Sequence, residues 1–177
     1  MYFQQIRKVL LLSTSLIILL GLLFFIVSSF RSHRYINFAE LSERGNINEL
    51  TLTIYYLPRN VLTPFALTVE ELTTIEYFDT VRTVVSDLGA YMDILRQLDT
   101  IVLIPVEREH QLMALLHYEF NFRGQKFTVT GWGQGDSLIV NGVEVEEHYI
   151  FYEVILPFLT GRMQDALSQR IELLRSR

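Results

Sequence analysis

Residues 112–131 read LMALLHYEFNFRGQKFTVTG, and the pattern in this stretch decides the fold. Leu112, Ala114, Leu116, Tyr118, Phe120 and Phe122 alternate with Met113, Leu115, His117, Glu119 and Asn121, the period-two pattern of a long strand. Arg123-Gly124 then serves as a two-residue turn. That turn opposes Phe120 to Phe127, Tyr118 to Val129 and Leu116 to Gly131 on one face. The other face pairs Glu119 with Thr128 and His117 with Thr130, polar against polar, so one register suits both faces.

The chain continues as a meander. A turn at Gln134-Gly135-Asp136 returns residues 138–140, and Asn141-Gly142, a strong hairpin dipeptide, returns residues 143–145. Upstream, Leu50, Leu52, Ile54 and Tyr56 alternate with Thr51, Thr53 and Tyr55 until Pro58 stops the strand. Thr68 and Glu71 form a capping box for a short helix that fails near Thr73-Thr74. Residues 80–85 are rich in β-branched side chains and read as strand. From Asp87, residues Leu88, Tyr91, Met92, Leu95 and Leu98 fall at helical spacing and predict an amphipathic helix. Residues 101–104, cut by Pro105, read as an extended buried connection.

Residues 146–159 are ambiguous, because their Tyr, Ile, Phe and Val content suits a strand. Their length, the spacing of Phe151, Ile155 and Phe158, and the acidic pair Glu146-Glu147 favour a helix laid across the inner face of the meander, where Gly131 and Gly133 permit close approach. Residues 162–177, with Met163, Leu167, Ile171 and Leu174, predict a marginal terminal helix. The expected fold class is α+β: an antiparallel sheet of four or five strands packed by two main helices.

Ahead of this domain, residues 9–30 carry no charge over 22 positions, the length a single transmembrane helix needs to cross about 30 Å of hydrocarbon. A cleaved secretory signal is the rival reading, but its apolar region runs to only about 15 residues. The expected organisation is a tail at 1–8, a membrane helix at 9–30, a juxtamembrane linker or short juxtamembrane helix ending near Gly45 at 31–48, the domain at 49–160 and a helical tail at 161–177. Basic residues flank the span on both sides, Arg7 and Lys8 before it and Arg31, Arg34 and Arg44 after it, so their count hardly orients it. Likeness of the short basic tail to an uncleaved signal sequence favours N-in, C-out, with an extracytoplasmic domain.

Four of the 15 basic residues lie ahead of Tyr35 and all 20 acidic residues lie beyond it, which leaves the domain 11 positive against 20 negative charges, a net of −9. Nucleic acid is an unsuitable partner, and peripheral docking on anionic lipid is not expected. The chain has no cysteine, so disulfides, thiolate metal sites and a lipidated cysteine are all excluded.

Few residues suggest chemistry. His117 and Glu119 point to the same side of one strand, a spacing that suits a metal or an acid/base pair if His110, Glu107 or Glu109 adds a third ligand; a solvated polar face is the simpler reading. Glu144, Glu146, Glu147 and His148 form a second acidic cluster, for which a role at a helix N-terminus is the simpler reading. The run from Gly131 to Asp136 resembles a dinucleotide fingerprint but lacks its third glycine and its helix. Trp132 shares the outer face with Leu115, Met113 and Ile139, an apolar patch that is an interaction surface if open and ordinary core if a helix such as residues 87–98 covers it. No cofactor is expected. The favoured class is a membrane-anchored, non-catalytic binding or accessory module engaging another envelope protein. A metal-binding protein or hydrolase-type enzyme using His117 and Glu119 competes with it, as does a ligand sensor with a pocket beneath Phe120, Phe122, Phe151 and Phe158.

Overall fold

The computed structural model describes residues 36–57, 67–74, 80–106, 114–131 and 136–177, all within the compact unit Tyr35–Arg177. The expected membrane helix at 9–30 lies outside the described residues. Among the described residues, no helix is long and apolar enough to cross a membrane.

The fold is α+β, with a six-stranded antiparallel sheet and several helices. Its strands are β1 (Leu50–Tyr56), β2 (Val81–Val85), β3 (Leu116–Phe122), β4 (Gln125–Gly131), β5 (Ser137–Val140) and β6 (Val143–Glu146), in the order β2-β1-β3-β4-β5-β6. The β3–β4 register is the one the alternation predicts, with Phe120 opposite Phe127, His117 opposite Thr130 and Leu116 opposite Gly131. Positive φ angles of 50° at Arg123 and 84° at Gly124 set the twist of that turn to match the strands, as 49° at Asn141 and 81° at Gly142 do for β5–β6.

One face of the sheet is the main core. Leu50, Leu52, Ile54, Leu116, Tyr118, Phe120, Val129, Leu138, Val140 and Val145 are buried on it. Over this face lie α1 (Phe38–Arg44), a helical stretch from Gly89 to Asp99 whose centre is α3 (Met92–Leu95), α4 (Ile150–Glu153) and α5 (Gly161–Arg175). The remaining helix, α2 (Val69–Thr74), packs on β1 and β3. There Leu67 and Leu72 cover Leu57 and Ala114 in a second, smaller cluster. The Thr68–Glu71 capping box is closed in both directions: the Thr68 amide donates to Glu71 at 2.8 Å and the Glu71 amide to Thr68 Oγ1 at 3.2 Å.

Several expectations need correction. Within 31–48 the short helix ending near Gly45 is present as α1, but as part of the domain's core and not of a linker: Asn37 caps it, its side chain accepting from the Glu40 amide at 2.9 Å, and Gly45 ends it in the left-handed conformation. Phe38 is fully buried, its ring edge-on to Phe120 at 5.1 Å and to Phe127 at 5.8 Å. Burial of that ring outweighs the polar composition around it.

The amphipathic stretch 87–98 is a broken helix, 3-10 at Gly89–Tyr91 and Arg96–Asp99 with one α turn between. Its Leu88, Met92, Leu95 and Leu98 bury into the main core instead of covering the outer face, because the large apolar surface is on the inner side. The acidic pair starts no helix: Glu146 ends β6 and Glu147 pairs with Arg170, a full charge in place of a half-charge dipole. Gly131 makes room for Leu138 of β5 and not for a helix, since a Cβ there would come within 2.3 Å of Leu138 Cδ2. Of the supposedly buried connection, Val102 and Ile104 are 81% and 50% exposed.

Candidate functional site

The outer sheet face is where the sequence places its candidate residues. The pairing register aligns Arg82, Tyr55, His117, Thr130, Ile139 and Glu144 as one cross-strand row running through all six strands. Strand parity puts the members of such a row on the same face. The Arg82 guanidinium sits over the Tyr55 ring at 5.8 Å, and the Tyr55 ring lies 6.2 Å from that of His117. His117 Nδ1 shares a 2.7 Å hydrogen bond with Thr130 Oγ1. At the far end, the Ser137 hydroxyl donates to Glu144 at 2.5 Å.

His117 is buried, which is unusual for a titratable side chain on an outer face. Burial pushes its pKa below the ordinary histidine value; nearby Glu119 acts the other way and Lys126 reinforces the depression. The ring is therefore neutral at pH 7 and bonded to a hydroxyl. Glu119, one row along, forms an ion pair with Lys126 at 2.9 Å. The structure thus commits the two candidate catalytic residues to separate partners on β4. Glu107, Glu109 and His110, the proposed third ligands, lie outside the described residues. Among the described residues, no group of three or more acidic or histidine side chains is arranged to hold a metal ion.

Leu115 and Ile139 of the predicted apolar patch are half-buried, and Leu115 packs against the Leu57, Leu67 and Leu72 cluster beneath α2. Trp132 and Met113 lie outside the described residues. Among the described residues the helix that reaches this side is the short α2, and the Gly89–Asp99 stretch takes no part. Phe120 and Phe151, where a ligand pocket was conceivable, are buried in the main core.

The second acidic cluster is structural. Glu147, with its side chain 3% exposed, accepts from the Tyr152 hydroxyl and from Arg170, whose Nε lies 3.0 Å from Glu147 Oε1. Burial and the neighbouring Glu147 carboxylate push the Tyr152 pKa far upward, so its proton stays on the phenol and in the bond. Arg170 also lies 3.5 Å from Asp136, tying α5 to the start of β5. Beside this network Val106, Asp136, Glu146, Glu147 and Arg177 line an open cleft of about 480 Å³. A smaller cleft, about 180 Å³, lies between α1 and the β3–β4 turn, where Arg123 forms a two-pronged pair with Glu49 at 2.6 Å on both nitrogens.

Sequence reasoning missed Tyr55 as the neighbour of His117 and Arg82 as the neighbour of Tyr55. Their parity was legible, but the placement of β1 between β2 and β3 was not. It also missed Arg170, whose partner is 23 residues away.

What the geometry defines is an α+β domain with helices concentrated on one sheet face and an ordered polar–aromatic row across the other. Compared with protein-family models, with curated proteins and with solved structures, the chain matches none.

Proposed function

We propose that the chain is a membrane-anchored, non-catalytic binding or accessory module, held by residues 9–30 as a single-pass helix with its domain on the extracytoplasmic side, engaging another envelope protein. The observation that carries this reading is the uncharged apolar run of 22 residues at 9–30, long enough to cross a bilayer as one helix, ahead of a separately folded unit Tyr35–Arg177. The separate commitments of His117 and Glu119 support a binding role over a hydrolytic one.

Membrane extraction and protease protection test the proposal. The full chain with a C-terminal tag is expected to stay with the membrane through alkaline carbonate, and the tag to be digested from outside intact cells. Recovery in the soluble fraction, or a tag protected until the membrane is broken, overturns it.

A further inference from the structure

The two edges of the sheet are treated differently. Beside β6, residues 104–106 run alongside the strand: the Val106 amide donates to Glu144 O at 3.1 Å, the Glu146 amide donates to Ile104 O at 2.9 Å, and Pro105 presents no amide of its own. Segments of this kind shield a sheet edge. No described strand pairs with the outer side of β2.

Which backbone groups β2 presents follows from the ladder. A two-residue turn at Arg123-Gly124 makes Phe122 and Gln125 a mutually bonded pair, so even-numbered residues of β3 bond to β4 and odd-numbered ones to β1. The Leu57 amide donating to Leu115 O at 2.9 Å follows that phase, and only the Leu115 amide, one residue ahead of β3, turns to Gly131 O at 3.2 Å. In β1, Leu52, Ile54 and Tyr56 then face β2, and their partners Val85, Thr83 and Val81 face back. The amides and carbonyls of Arg82 and Val84 are left pointing outward. Arg82 folds over Tyr55 of its own sheet, and Val84 is 54% exposed.

We propose that the Val81–Val85 edge pairs with the same edge of a second copy of this chain, antiparallel about Thr83, to make a continuous twelve-stranded sheet. In that register Arg82 of one copy bonds to Val84 of the other, and the symmetry repeats the exchange, which satisfies all four amides and all four carbonyls. Each arginine opposes a valine and no acidic residue, so no like charges stand directly opposite in the strand pair, and the aliphatic arginine stem covers exposed Val84. An antiparallel edge pair has its two-fold axis perpendicular to the sheet, so both copies keep their helical faces on the same side. An edge of five residues buries less than the roughly 1,000 Å² of a stable interface, so the pair is weak in dilute solution and depends on local concentration.

The absence of cysteine makes the test direct. In the full chain Thr83→Cys, the two engineered thiols face each other at a non-bonded position about 4.5 Å apart at Cα, within disulfide range. Under mild oxidation by copper-phenanthroline this variant is expected to form a covalent dimer more than about tenfold faster than Leu173→Cys, a control on an exposed position of α5. Adding Val84→Pro removes an outward amide that β1 does not use, so the fold survives and cross-linking falls to the control level. A thermal melt confirms that the double variant is folded. Equal rates for Thr83→Cys and Leu173→Cys, or cross-linking untouched by Val84→Pro, overturn the proposal. Fractionation reads the anchor and cross-linking reads the edge, so the two proposals fail separately.

Discussion

The hydroxyl of Tyr118, on central strand β3, donates at 2.8 Å to the main-chain carbonyl of Phe151 in α4. Both residues are buried, and burial raises the phenol pKa, so the group remains a donor at all accessible pH values. One bond thereby fixes the height at which the helix crosses the sheet. Tyr118→Phe keeps the ring and strands the carbonyl, and is expected to cost about 1–2 kcal/mol in urea unfolding. An unchanged midpoint would show that the helix is placed by apolar packing alone.

Arg170→Ala leaves the Glu147 carboxylate nearly buried with, among the described residues, the Tyr152 hydroxyl as its remaining side-chain partner. The expected loss is about 3 kcal/mol or more, the usual consequence of orphaning one member of a buried pair. Arg170→Met combined with Glu147→Gln is expected to recover part of it, since the charge is then gone from both sides. A double variant as unstable as the single one counts against the ion pair as the cause.

His117 gives the domain an acid sensitivity of known sign. Its folded pKa lies below the ordinary 6.5, so as pH falls through about 6.5 the unfolded chain takes up a proton that the folded chain refuses. Its contribution is complete above that pH and is lost as pH drops toward the folded pKa. His148, also depressed by burial, acts in the same direction. Urea midpoints at pH 7.5 and 5.5 are expected to differ more in the natural chain than in His117→Gln. Equal differences in the two proteins would remove His117 from the account.

Gly131→Ala places a methyl group against Leu138, which is itself completely buried. The clash is with the end of a flexible side chain, so the strand is expected to survive with Leu138 displaced. Overpacking of this kind costs about 1–3 kcal/mol, more than the entropy gained by replacing a strand glycine. Adding Leu138→Val makes room for the methyl and is expected to make the alanine cheaper than it is alone.

Much of the sheet was legible because it is locally encoded. The β3–β4 and β5–β6 hairpins follow from strict alternation and from Arg123-Gly124 and Asn141-Gly142, whose backbone angles only a narrow set of residues accepts. The Thr68–Glu71 cap is likewise read within four residues. His117 opposite Thr130 came from the same register, so the centre of the candidate row was visible as well.

What lies beyond these hairpins rests on contacts distant in sequence. Leu52 pairs with Phe120 across 68 positions, and Phe38 meets Phe120 across 82. No turn chemistry specifies such meetings; they are selected by which apolar surfaces bury together at least loop-closure cost. Local pattern and turn chemistry therefore suffice for the α+β class, the two tight hairpins and the outward parity of His117, Glu119, Leu115 and Ile139. The place of β1 between β2 and β3, the burial of Phe38 in the core and the closure of Arg170 on Glu147 arise only on folding, because each needs the whole sheet assembled before its partner comes within reach.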